Sequence, residues 1–202
     1  MNKIVFASIT TVIAFAIQTH GFADDFNQSL NRMGMTFNMP EGYISIPPKP
    51  NSDMEYDFAI RHPKVSYEIR FSLRPAENLD VRWELLFVAV AANISGKGIE
   101  NFSSEQPEEP HYLDPTSVKA AFGADSALMV GIDGLQSEFA GKHKSCGVIC
   151  LNKIGVGQAY IFHMFGDTLD GGVPTSDIQE ALRVTYPPFG GITPLRFIDR
   201  KE

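Results

Sequence analysis

Residues 54–74 read Met54-Glu55-Tyr56-Asp57-Phe58-Ala59-Ile60-Arg61-His62-Pro63-Lys64-Val65-Ser66-Tyr67-Glu68-Ile69-Arg70-Phe71-Ser72-Leu73-Arg74. Met54, Tyr56, Phe58 and Ile60 are apolar, and the charged Glu55, Asp57 and Arg61 fall out of step with them. After His62-Pro63 the alternation resumes. Val65, Tyr67, Ile69, Phe71 and Leu73 point one way, and Ser66, Glu68, Arg70, Ser72 and Arg74 the other. Successive side chains of a strand face opposite sides of its sheet, so a period of two over this length means strands with one buried face. The short connection makes them an antiparallel hairpin. Pro75, which has no N–H for the ladder, ends the second strand.

On the C-terminal side, Leu79 to Ser95 is rich in Leu, Val and Ala and closes at Gly96. Its apolar residues nearly encircle a helical axis, which predicts a well-buried helix; a pair of strands around Trp83 to Val90 is the alternative. Asn101 to Pro110 is an acidic, proline-bearing loop. Asp114 followed by Pro115 has the form of an N-cap with proline at the first helical position, and Gly123 ends that short helix. Ala127–Ile132, Lys144–Ile154 and Gln158–Phe165 are expected strands. The last two are apolar on both faces, as strands in the middle of a covered sheet are, and Gly155-Val156-Gly157 supplies the turn between them. Ser176 and Gln179 make a capping box for a final helix through about Val184. Hairpin-joined strands demand an antiparallel sheet, and the separate helices must cover its faces. The expected fold is therefore α+β, a mainly antiparallel sheet flanked by helices. A single domain over 35–190 follows a leader at 24–34 and precedes a tail at 191–202.

Three features resemble the PsbP/DcrB-like group of exported α/β/α-sandwich proteins. Met35-Thr36-Phe37-Asn38-Met39-Pro40-Glu41-Gly42-Tyr43 is similar to the group's opening phrase, an apolar strand running into Pro-x-Gly-aromatic. The amphipathic hairpin follows at a similar distance, and the run Gly141 to Phe165, with its Gly155-Val156-Gly157 hinge, is also similar. The resemblance implies a scaffold whose members mostly bind or assist other proteins and share no catalytic apparatus. It transfers no catalytic residue. The metal-binding positions of photosynthetic members have no counterpart here.

Composition narrows the classes further. Of 202 residues, 44% are apolar and 20% charged, and 17 basic against 24 acidic side chains give a net charge of −7. That is the balance of a globular protein, not of a disordered or fibrous chain. It is a poor match for nucleic acid, which needs a concentrated basic surface. The N-terminus has a different character. Lys3 precedes an uncharged run from Ile4 to Ile17, then a polar break, then Gly21-Phe22-Ala23 and the acidic pair Asp24-Asp25. A positive start, an apolar middle and small residues at −3 and −1 define a secretory signal peptide over 1–23, with cleavage after Ala23. The apolar run falls short of the roughly 20 residues that span a bilayer, and no later segment reaches that length. A periplasmic or secreted protein with no membrane span after cleavage is expected.

Cys146 and Cys150 are the only thiols. In an exported chain the default is a disulfide. Four steps of about 3.3 Å along a regular strand would separate them by roughly 13 Å on one face, whereas a bridge needs Cα atoms within about 7 Å. Either the strand bends near Gly147 and the pair is bridged, or both are buried thiols. A third reading is a metal or redox site in which the two thiols and His143 or His163 hold a soft ion such as Cu(I) or Zn²⁺. Hydrolase, zinc-protease and phosphate-loop signatures are missing. Asp167 to Gly172 has the composition of a calcium loop without its ligand spacing, and is read as a turn. No catalytic residue and no cofactor are assigned. The expectation is an exported, non-enzymatic binding or accessory protein acting on another envelope protein through one sheet face or the Asn101–Asp114 loop. The alternative is a metal or redox protein built on Cys146 and Cys150.

Overall fold

The computed structural model describes residues 25–76, 82–98, 110–166, 169–170, 173–174 and 193–198. Helix α1 covers 25–33. It is followed by β1 (Met35–Phe37), β2 (Ile44–Ile46), β3 (Phe58–Arg61), β4 (Tyr67–Pro75), α2 (Trp83–Ser95), β5 (His111–Tyr112) and α3 (Pro115–Phe122). The chain continues through β6 (Ser126–Asp133), β7 (Ser145–Lys153), β8 (Gly157–Phe165), β9 (Leu169–Asp170), β10 (Val173–Pro174) and β11 (Leu195–Phe197). A 7-stranded sheet runs β2-β3-β4-β8-β7-β6-β5. Every neighbouring pair in it is antiparallel.

The long strands β4, β8 and β7 make the middle of this sheet, as the two-sided apolar pattern of β7 and β8 requires; β4, whose alternation predicts one buried face, has Arg70 and Ser72 buried on the other face too. Side chains on one face of it (Phe58, Ile60, Ile69, Phe71, Ile149, Ile161) pack against Phe26, Leu30 and Met33 of α1, Val118 and Phe122 of α3, and the β1–β11 ribbon. On the other face, Ala59, Val130, Val148, Phe162 and Met164 meet Phe87, Ala91 and Ile94 of α2. Leu135, Phe139 and Ala140 from the β6–β7 connection complete that second layer. Burying each large apolar side chain contributes about 1.5–3 kcal/mol, so both helical layers are needed to keep the sheet dry. The fold is α+β, a large antiparallel sheet with helices against both faces.

Several local expectations are met residue by residue. Asp114 caps α3 by accepting from the Ser117 N–H at 2.8 Å, Pro115 opens the helix and Gly123 closes it with φ +64°. Helix α2 ends at Gly96, φ +75°, which settles the helix-or-strand alternative for Trp83 to Val90. Its burial is one-sided, however: Leu85 is 60% exposed while Phe87, Ala91 and Ile94 are fully buried.

The hairpin departs from its pattern at one point. Tyr56 packs with the α2 layer while Phe58 and Ile60 pack with the α1 layer, so the chain changes face between them. Asp57 is the cause. Its N–H donates to the Phe71 carbonyl (2.8 Å), and its carboxylate accepts from the Leu73 N–H (2.6 Å). A side chain thus completes the ladder where a strand residue would have, and β3 begins only at Phe58.

The thiol strand also differs from one expectation. β7 pairs without interruption from Ser145 to Lys153, with Gly147 opposite Gly131 and His163. No bend brings the cysteines together, and Cys146 and Cys150 are both free and buried. Residues 25–33 and 195–197, read from sequence as leader and tail, are built into the core through Phe26, Leu30, Leu195 and Phe197. β9 and β10 pair as a two-residue antiparallel ladder; the turn expected over Asp167 to Gly172 lies in large part outside the described residues. The expected signal peptide, the acidic loop over 101–109 and the helix from Ser176 lie outside the described residues.

Candidate functional site

The sequence-derived candidates separate in space. Cys146 and Cys150 project into the α2 layer with Val148 and Phe162. Burial pushes both thiols far above their ordinary range, so they are protonated in the folded chain. His163 sits on β8 between Phe162 and Met164, whose side chains fill the α2 layer, and therefore points to the opposite face. There its Nδ1 meets the Tyr67 hydroxyl at 2.5 Å. Burial lowers its pKa to about 3, so the ring is neutral. His143 lies ahead of β7 beside Glu68. Among the described residues no group of three or more His, Cys, Asp or Glu side chains is placed to hold a metal ion. The structure does not bring Cys146, Cys150, His143 and His163 into one site.

What it does assemble is a charged corner on the α2 face of the sheet. Ile44, Arg61 and Glu68 lie in register across β2, β3 and β4. Arg70, two residues on from Glu68 along β4, is 4% exposed. Its Nε donates to Glu68 Oε1 at 2.6 Å, and its Nη1 donates to the Phe139 carbonyl. The guanidinium lies over the rings of Tyr56 (4.9 Å) and Phe139 (4.8 Å). Planar, delocalised charge suits such a site, because stacking and a fork of hydrogen bonds replace water on several sides.

These contacts tie down the β6–β7 connection. The Phe139 N–H donates to Asp53 Oδ2 at 3.0 Å, and the Ser52 hydroxyl donates to Glu138 Oε2 at 3.1 Å. The chain following Phe139 is thereby held over the ends of β3 and β4. His143, 3% exposed, donates from Nδ1 to the Ala140 carbonyl at 3.0 Å. Its Nε2 stands 3.9 Å from Glu68 Oε2. Burial lowers its pKa, while Glu68 opposes that shift.

Above this network is a groove of about 730 Å³, lined in part by Ile44, Arg61, Lys64, Val65, Lys142 and Lys49. The cations come from four separate segments: the chain after β2, the end of β3, the hairpin turn and the segment before β7. All four are exposed. Among the described residues none of them forms an ion pair with a carboxylate, whereas Arg70, Arg74, Lys119 and Lys153 each do. Glu68, the acid in the groove floor, is already neutralised from beneath by Arg70. A net positive depression therefore sits on a chain of net charge −7.

Sequence reading passed over these lysines because lone basic residues are ordinarily just solvated. The available signal was Arg61-His62-Pro63-Lys64, a cationic turn in an acidic protein. Comparison with known protein families, with curated proteins and with solved structures finds no match for the chain.

Proposed function

We propose that this is an exported, non-enzymatic binding or accessory protein that acts on another protein of the cell envelope. The observation that carries the reading is the open cationic groove at the β2–β3–β4 corner, a local departure from the chain's negative balance. The sheet faces named from sequence are covered by α1, α2 and α3, so the groove replaces them as the contact surface. Export is supported by the leader-like composition of residues 1–23. The resemblance to PsbP/DcrB-like proteins, whose members mostly assist other proteins, agrees with both points.

Affinity capture from the native envelope, with N-terminal sequencing of the recovered chain, tests the reading. A chain beginning at Asp24 that retains one partner in a fixed ratio is the expected result. An intact Met1, or a cleaved chain that retains nothing, counts against it. Metal or redox chemistry at the thiols gains no support from their placement, since they are buried and the imidazole of His163 is on the far side of the sheet.

A further inference from the structure

We propose that the groove takes an extended, acidic segment of the partner, one in which carboxylates are interspersed with apolar side chains; this rests on the binding reading above. Two features of the groove set the chemistry. Lys49, Arg61, Lys64 and Lys142 stand around it on separate segments, and none is held by a carboxylate among the described residues. Between them lie Ile44, 43% exposed, and Val65.

A compact anion such as phosphate is recognised by donors that converge on one point, a helix N-terminus or a pair of guanidinium forks. Here the positive charge is spread along a depression whose volume suits several residues of peptide rather than one ion. Apolar side chains in the segment would cover Ile44 and Val65, and its carboxylates would meet the cations. Arg70 has a positioning role. By holding the Phe139 carbonyl and neutralising Glu68, it fixes the wall that carries Lys142 and removes the one negative charge that would repel the segment.

The test uses the mature chain and a fluorescently labelled peptide of alternating glutamate and leucine, followed by anisotropy. Saturable binding that weakens as salt is added is expected. Lys64→Glu combined with Lys142→Glu is expected to weaken it by roughly tenfold or more, since attraction becomes repulsion at two points. Both side chains are exposed, so folding is retained, and Lys64→Gln with Lys142→Gln provides a milder pair. Arg196→Glu, on β11 away from the groove, leaves binding unchanged. A peptide of alternating lysine and leucine does not bind.

Equal binding by the charge-reversed and native chains overturns the proposal, as does displacement of the peptide by submillimolar inorganic phosphate. Concentration-dependent dimers that the peptide dissolves would make a second copy the occupant and overturn it too. Envelope capture repeated with the reversed chain separates this claim from the one it rests on. A partner retained equally well by both chains removes the groove and leaves the accessory role; peptide binding through the lysines without any captured partner does the opposite.

Discussion

Tyr67 and His163 face each other across the β4–β8 pair, with the phenol oxygen 2.5 Å from Nδ1. The two rings lie nearly parallel, at an interplanar angle of 13°, and Phe165 stacks on the other ring of the pair, that of Tyr67. Assigning the proton of the neutral imidazole to Nε2 makes Nδ1 the acceptor of the tyrosine hydrogen.

This arrangement predicts an acid-labile fold. Burial holds the His163 pKa at about 3 in the folded protein, against 6.5 for a free imidazole. The unfolded chain therefore takes up the proton first. The stability contributed by the neutral ring is complete above pH 6.5 and is lost as pH falls from there towards 3, at about 1.4 kcal/mol per pH unit. His143, also lowered by burial, acts in the same direction; Asp57, whose carboxyl is raised by burial, acts against it at lower pH. Urea unfolding at several pH values between 7 and 4 measures the slope. His163→Asn, which keeps an acceptor near the Tyr67 hydroxyl and cannot titrate, should flatten it; an unchanged slope would show that another group is responsible.

Cys146 and Cys150 are 2% and 0% exposed and are not bridged. A thiol reagent added to the native protein should find no reactive cysteine, and both should react once the chain is denatured without reductant. Rapid labelling of the native protein, or a missing pair after denaturation, would contradict the packing of β7.

The hairpin, the antiparallel sheet and the cap of α3 were legible because each depends on neighbours in sequence: alternation for β4, Asp114-Pro115 for α3, glycine where a positive φ is needed. Tyr56 shows where local reading stops. Its alternation with Phe58 is perfect in the sequence, yet Asp57 bonds the Leu73 N–H and turns it to the other layer. Helix α1 and strand β11 were missed for a related reason. Phe26 and Phe197 enter the core only because the sheet face they cover is assembled from distant strands. The groove cations are more remote still. Lys49 and Lys142 become neighbours of one depression only after the β6–β7 connection has been pinned by Arg70 and Asp53.

Gly123 joins α3 to β11. A Cβ added there would lie 2.3 Å from the Phe197 carbonyl oxygen, at a φ of +64°. Gly141 has nearly the same conformation, φ +58°, with nothing within 4 Å of such an atom. Both alanine substitutions carry the backbone cost of a left-handed residue, about 1–3 kcal/mol. Gly123→Ala adds a clash with main chain that cannot move without lifting β11 from α3. Thermal denaturation should therefore rank Gly123→Ala well below Gly141→Ala. Equal losses would mean that β11 is not seated on the helix end.

Replacing Arg70 tests the charged corner as a unit. Arg70→Met keeps much of the bulk but leaves Glu68 and the Phe139 carbonyl without their donor. Breaking a buried pair from one side in this way costs about 3–5 kcal/mol. Arg70→Met combined with Glu68→Gln should recover a large part of the loss, because the stranded charge is gone. The single variant should also respond to pH in a new way. Arg70 now helps to keep His143 neutral while Glu68 favours its charged form. Burial remains the main cause of the lowered His143 pKa, but without the guanidinium one of the charges that adds to it is gone and the pKa moves back towards its ordinary value. The stability that its lowered pKa contributes above pH 6.5, and loses as pH falls, is then smaller, which reduces the slope it shares with His163. Unfolding curves for Arg70→Met at pH 6 and 8 should accordingly differ less from one another in favour of the higher pH than those of the parent chain. A difference of the same size in both proteins would show that Glu68 and His143 are not coupled through Arg70.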